Sequence, residues 1–333
     1  MSITIKDIAR ELHLSESAVS LALNQRPGVS DATRQRVIAC ARSLGYDLGR
    51  LRARGNAGRS VLLVHYQKRI HTPVAFFSTL LASAERELRK SDISLVSVVV
   101  DGNLDVPSQL ERHISHGCAG IIVLATEMDG GDWSHFSSLG MPVVLLDTYI
   151  GGADTSCVTI NNREGARQAT RLLLAEGRGC PGLLDSTLPL TNFRERADGF
   201  FSTVHDAGYP TAAVQTLKLS PYVDGSEIDL SERLDAGLVP ATSYVAVNDH
   251  VAIGAMRALQ AHGYRIPEDV SVVGFDNTEL ASYVSPALTS LNVPLDYYSH
   301  LAVRLLLDLM DGAERHPRRI EVTPTLVRRA STR

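Results

Sequence analysis

Cysteine is scarce and scattered in this chain: Cys40, Cys118, Cys157 and Cys180 are the only four among 333 residues, and none forms a CxxC pair. This argues against a disulfide framework or a zinc site and suits free thiols in a reducing cytoplasm. The opening MSITIKDIAR is interrupted by charges and followed by no apolar stretch, so it does not read as a secretory leader. No run approaches the roughly 20 apolar residues of a membrane span. Signatures of common enzyme classes are missing: there is no GxGxxG after a strand, no GxxxxGK(S/T) and no GxSxG nucleophile elbow. His113 and His116 sit in HISH without a third ligand at metal spacing. The expectation is a cytoplasmic protein with no catalytic residues, no cofactor and no metal.

What is present is ordinary in amount and uneven in placement. Hydrophobic residues make up 44% and charged residues 21%, as in globular proteins, and the length suits two or three domains. A chain of this size buries roughly three quarters of its unfolded surface, so it needs no covalent staples. Residues 1–59 hold ten Lys/Arg against five Asp/Glu, a net of +5, while the remainder holds 23 against 32, a net of −9. A basic head on an acidic body points to a polyanion at the head alone. Chance clustering on a solvated face gives the same count.

The head reads as three short helices. Thr4 and Asp7 stand at capping-box spacing, followed by an apolar stripe at Ile5, Ile8, Ala9 and Leu12. Ser15 can cap a second helix whose inner face carries Val19, Ala22 and Leu23. Pro27 and Gly28 end it, Ser30 can cap a third, and Val37, Ala41 and Leu44 line that helix's core face. The outer face of the second helix holds Ser17, Ser20, Leu21 and Asn24, small polar groups around one leucine. In a helix-turn-helix that face lies in the DNA major groove, where serines meet base edges and a leucine packs on thymine methyls. A three-helix bundle docking on another protein fits the same pattern.

From residue 60 onward short apolar runs alternate with helical patterns. SVLLVHY, GIIVLA, PVVLLD and VSVVGFD are near-continuous strands, and FFSTLLASAERELRK, EGARQATRLLLAEG and HVAIGAMRALQAHG are helices. This alternation predicts parallel sheets covered on both faces, with too many strands for one sheet, hence two doubly wound lobes. Ligands in such sheets bind beyond the carboxyl ends of strands. Tyr66, Asp147, Asn248 and Asp276 lie at those ends, and Arg196 lies just inside a helix. Carboxylates that accept and amides that do both suit a ligand rich in hydroxyls. Ordinary helix capping accounts for each Asp or Asn singly, and Arg196 with Asp276 also fits a salt bridge within one lobe.

The stretch TIKDIARELHLSESAVSLALNQRPGVSDATRQRVIACARSLGY resembles the headpiece of the LacI/GalR family of bacterial repressors. VVGFDNTELASYVSPALTSLNV, AVNDHVAIGAMRAL, INNREGARQATRLLL and RERADGF resemble its effector domain, itself similar to periplasmic sugar-binding proteins. The resemblance spans essentially the whole chain. It implies a small all-α helix-turn-helix headpiece over residues 1–46 and a basic hinge over 47–60. The α/β effector body follows, with one lobe over 61–161 and 290–321 and the other over 162–289 and 322–333. By that similarity Glu16, Ser17, Ser20 and Leu21 face bases, and Ser15, Thr33 and Arg34 hold phosphates. Arg50 and Leu51 fall in the hinge, where relatives insert a leucine into the minor groove; the matching position here is Gly55. A flexible basic linker is the other reading of that stretch. Tyr66, Ala75 with Phe76, Asp147, Arg196, Tyr222, Asn248 and Asp276 fall on or near effector-contacting positions, with Tyr222 where an aromatic stacks on the sugar.

These readings converge on a transcriptional regulator, a repressor by family. The regulator binds a pseudo-palindromic operator in double-stranded DNA as a homodimer and responds to a small polar effector, a sugar first. A nucleobase or other metabolite is the alternative ligand. A periplasmic-type solute-binding protein is the alternative class; it fits the body and not the head.

Overall fold

The computed structural model describes residues 3–23, 28–44, 46, 59–69, 74–313 and 316–333. The hinge positions Arg50, Leu51 and Gly55 lie outside the described residues, as do the side chains of Ala75 and Phe76.

Among the described residues three helices make the head: α1 (Ile5–Leu12), α2 (Glu16–Leu23) and α3 (Asp31–Ser43). Each begins where its polar cap dictates. The Thr4 backbone N–H and hydroxyl both donate to Asp7 Oδ2, at 2.9 and 2.7 Å. The Ala18 N–H donates to Ser15 Oγ at 3.1 Å and the Thr33 N–H to Ser30 Oγ at 3.2 Å. Such caps satisfy N–H groups that the first helical turn leaves without partners. Ile8, Val19, Ala22, Val37 and Ala41 meet in a fully buried core, with Leu12, Leu23 and Leu44 packed around it. The inner stripes are those of the sequence pattern. Leu21 differs: it is half-buried rather than bare, because its Cδ1 lies 3.2 Å from where a Cβ on Gly28 would stand.

The body holds two six-stranded sheets. The first contains β1 (Ser60–Gln67), β2 (Ser94–Asp101), β3 (Cys118–Leu124), β4 (Val143–Leu146), β5 (Ser156–Ile160) and β11 (Arg319–Val322), in the order β11-β5-β4-β3-β1-β2. The second contains β6 (Gly182–Ser186), β7 (Thr216–Leu219), β8 (Ser243–Ala246), β9 (Ser271–Asp276), β10 (Thr289–Asn292) and β12 (Thr325–Val327), in the order β12-β10-β9-β8-β6-β7. Among the described residues every ladder is parallel except β10 with β12, which is antiparallel. The central strands are buried on both faces, as their unbroken apolar runs require. At the β2 edge exposure returns on one side, with Val99 60% exposed.

Two corrections to the sequence expectation follow from pairing. β10 pairs with β9 in register Asn292↔Asp276, so residues 290–292 belong to the second sheet rather than the first lobe. Val322 pairs with Ile160, so it completes the first sheet rather than the second. The chain thus passes between sheets three times: after Ile160, after Asn292 and between Val322 and Thr325. Helix Leu295–Met310 crosses back and seats on helix Val74–Arg89, with Ser299 Oγ donating to the Leu80 carbonyl at 3.0 Å.

In the second lobe, helices Asn162–Ala175 and Thr191–Asp206 approach closely enough to need a glycine. A Cβ on Gly199 would stand 2.3 Å from the Arg163 carbonyl oxygen. Gly199→Ala gains a little helix propensity and forces two backbones apart. The expected net loss is about 1–3 kcal/mol of stability, read from the urea midpoint at unchanged slope. An unchanged or raised midpoint would show that the helices separate freely.

Candidate functional site

At the head, α2 leaves one face uncovered. Ser15, Glu16 and Ser17 are exposed, and Ser20 and Leu21 are half-buried. Thr33 and Arg34 are half-buried in the first turn of α3, where Ser30 Oγ lies 2.9 Å from Thr33 Oγ1.

In the body, polar groups from both lobes meet beyond the carboxyl ends of β4, β8 and β9. Asp147 follows β4 with φ 75° and is 5% exposed. Its Oδ2 accepts from Thr126 Oγ1 of the same lobe and from Asn192 Nδ2 of the other, both at 2.7 Å. Its Oδ1 is buried and accepts no hydrogen bond among the described residues. Burial pushes the Asp147 carboxyl up to about 6, against the pull of Thr126 and Arg196.

Arg196, 4% exposed, stands across the second lobe's part of the site. It donates from Nε to Asn162 Oδ1 at 2.9 Å and from Nη1 to the Val247 carbonyl at 2.6 Å. Nη1 also lies 3.1 Å from Asp276 Oδ1. The guanidinium stacks on Phe275, 3.7 Å from the ring centroid. Asp276 ends β9 with φ 104°, and burial raises its carboxyl against the pull of Arg196. The salt-bridge reading of this pair is therefore realised in the structure.

Asn248 caps helix Asp249–Ala261, its Oδ1 accepting from the Val251 N–H at 2.8 Å. Its neighbour Asp249 is fully buried. Burial first and Asp276 second push the Asp249 carboxyl up to about 7. Two buried or mostly buried carboxyl groups, Asp147 and Asp276, therefore face a single guanidinium, with Asp249 beyond Asp276.

Two expected residues stand apart from this cluster. Tyr66 packs inside the first lobe beside Phe136, at 6.1 Å between ring centroids, and covers Gly102, where a Cβ would meet its hydroxyl at 2.3 Å. Burial raises its phenol above the ordinary range. Its β1 neighbour His65 occupies the other face, stacked on Phe77 at 4.5 Å with Gln67 Nε2 3.2 Å away. Tyr222 is 45% exposed at the start of helix Val223–Asp235.

Other members of the cluster escaped the sequence reading. Asn192 and Arg196 are four residues apart in TNFRERAD, which puts both on one helix face; that spacing was the available signal. Thr126, after β3, and Asn162, at the start of its helix, carried none beyond being polar at an element's end. An open cleft of about 130 Å³ runs beside the bridge, lined by Lys68, Arg69, Thr126 and Asp129 on one side and by Thr191 and Arg194 on the other. Among the described residues no group of three or more His, Cys, Asp or Glu could hold a metal ion. No helix among them is long and apolar enough to cross a membrane.

A family model for bacterial regulatory proteins of the lacI family matches residues 4–47. A model for a periplasmic binding protein-like domain matches residues 183–332. The HTH-type transcriptional regulator GalS of Salmonella typhimurium is 30% identical over 345 residues, covering 99% of this chain and 96% of its own. The chain belongs to the LacI family. GalR of Escherichia coli is 27% identical over 334 residues, covering 98% of this chain and 95% of its own. Two solved structures share the fold of this LacI-family chain. A complex of the transcriptional regulator CelR with cellobiose has a TM-score of 0.73 at 24% identity, over 99% of both chains. The lac repressor dimer bound to operator and the anti-inducer ONPF has a TM-score of 0.72 at 23% identity, over 100% of this chain and 99% of the other. As a LacI-family member the chain is a DNA-binding transcriptional regulator, and its curated relatives are regulators rather than enzymes.

Proposed function

We propose that this regulator is a cytoplasmic, nucleoid-associated repressor whose operator affinity is set by a sugar or a related hydroxyl-rich metabolite bound between its lobes. Two chains form a C2 dimer that presents two heads to a pseudo-palindromic site. In each head Glu16, Ser17, Ser20 and Leu21 meet base edges and Ser15, Thr33 and Arg34 hold phosphates. Arg50 and Leu51 contribute from the hinge. The headpiece is residues 1–46 and the hinge 47–60. The lobes keep their expected extents, except that 290–292 joins the second and Val322 the first.

The observation that carries the effector reading is the bridge across the lobes: Asp147 of one accepts from Asn192 of the other at 2.7 Å, with a second buried oxygen available as an acceptor. A carboxylate with a spare acceptor binds a donor, which a sugar hydroxyl supplies. Arg196, Asn248 and Asp276 complete the contact set from the second lobe. On the first lobe Phe76 remains a proposed contact, Tyr66 acts from behind through its packing, and Tyr222 covers the ligand from the rim. Two carboxyl groups, Asp147 and Asp276, against one guanidinium favour a neutral polyol over an anion. A ligand that bridges the lobes biases their orientation, and a coupling of about 1–3 kcal/mol shifts operator affinity roughly 5- to 150-fold.

Two measurements test the reading. Calorimetry with D-galactose, D-glucose, D-ribose and cellobiose should detect binding that Asp147→Ala abolishes. Silence across the panel with a nucleobase bound instead would transfer the site to the alternative ligand. Selection from random duplexes should return one pseudo-palindrome with fixed half-site spacing and a thymine near Leu21. Leu21→Arg should change the preference at one position per half-site toward guanine, a bidentate contact worth about 1–3 kcal/mol. An unchanged profile would remove Leu21 from the base-reading face.

A further inference from the structure

The turn that carries Asp276 is strained, and one buried side chain holds it. Asp276 and Asn277 are consecutive non-glycine residues with φ 104° and 53°. Such backbone persists only where its surroundings over-determine it. Asp249 supplies much of that constraint. The Thr278 N–H and hydroxyl both reach Asp249 Oδ2, at 2.6 and 3.0 Å. Ser290 Oγ lies 2.5 Å from Asp249 Oδ1 and also accepts from the Asn277 N–H at 3.0 Å. Room for the carboxyl comes from Gly274, where a Cβ would stand 2.3 Å from Asp249 Oδ1. Ser290 lies on β10, the strand from which the chain returns to the first lobe through helix Leu295–Met310.

We propose that Asp249 is a positioning residue of the effector site: it locks the turn that aims Asp276 at Arg196 and fastens it to β10, the strand leading back to the first lobe. This deepens the effector reading and rests on it. Both oxygens of Asp249 are acceptors: Oδ2 takes the Thr278 N–H and hydroxyl, and Oδ1 takes the Ser290 hydroxyl. The charged groups nearby belong to the turn and its neighbours. Asp276 lies at the end of β9, Arg196 pairs with it, and Arg329 donates to Asn277 Oδ1 at 2.6 Å. His250, the next residue, is pushed below its ordinary value by burial.

Alanine removes both acceptor oxygens, whereas asparagine keeps one acceptor toward Thr278 and turns an amide donor toward Ser290. Hydrogen exchange of the Asn277 and Thr278 amides in the full chain without ligand, corrected for intrinsic chemistry, tests this. In Asp249→Ala their protection should be about 10- to 100-fold lower, as for loss of a buried hydrogen-bond partner. In Asp249→Asn it should fall in between, and in both variants the amides of β6, away from the turn, should keep their protection. Full protection of the turn in Asp249→Ala, or an equal loss in β6, overturns the assignment. Because no ligand enters the assay, a silent sugar panel would sink the effector reading without touching this result.

Discussion

Arg196→Ala should be the most destabilising single substitution in the body, removing about 3–5 kcal/mol. The mutation leaves Asp276, whose side chain is only 19% exposed, without the cationic partner it has among the described residues. It also orphans the Val247 carbonyl and Asn162 Oδ1 and strips the face of Phe275. Breaking a buried pair on one side costs more than the pair contributes, because a desolvated charge remains. Arg196→Lys should fall in between: the charge survives, while the planar fork and the stacking do not. Urea unfolding at pH 7 reads both. A loss in Arg196→Ala no larger than that of a surface substitution, about 0.5 kcal/mol, would mean that Asp276 finds another partner. Double substitution of Arg196 and Asp276 by apolar residues should recover part of the loss, since neither charge is then stranded.

Operator affinity should collapse with salt. The head carries a net +5 and the remainder of the chain a net −9, so attraction to DNA is confined to one end and opposed by the other. A dimer making 6–10 phosphate contacts loses about 1,000- to 100,000-fold in affinity between 50 and 200 mM salt. Arg34→Gln should lower the log–log slope by about one unit per head, with little change in the preferred sequence. Fluorescence anisotropy on a labelled operator measures both. A slope near zero would mean that phosphates contribute nothing and that the head docks by other means.

How much of this was legible in the sequence depended on whether a pattern carried direction. The head's inner stripes were readable because its helices are covered on one side only, so period 3.6 separates Val19 and Ala22 from Ser17. The body's central strands announced themselves as strands but not which face was which. SVLLVHY is apolar throughout and buried on both sides, so nothing in it tells whether Tyr66 or His65 faces helix Val74–Arg89. The sequence reading chose Tyr66, and the structure puts it behind the sheet. The edge strands β11 and β12 were missed because RIEV and TLV are short and partly exposed. Arg196 and Asp276 stood out by resemblance. Asp249 did not, because an acid at a helix start reads as capping, and its complete burial depends on Gly274 and on a turn contributed 29 residues later.

The two edge strands set a timetable for synthesis. The head's three helices are complete by Ser43, whereas β11 and β12, which close one edge of each sheet, end at Val322 and Val327. At about 5–20 residues per second, a nascent chain carries a finished DNA reader for roughly 15–60 s before either lobe can acquire its last strand. During that interval the head is complete while each sheet of the body still lacks one edge strand.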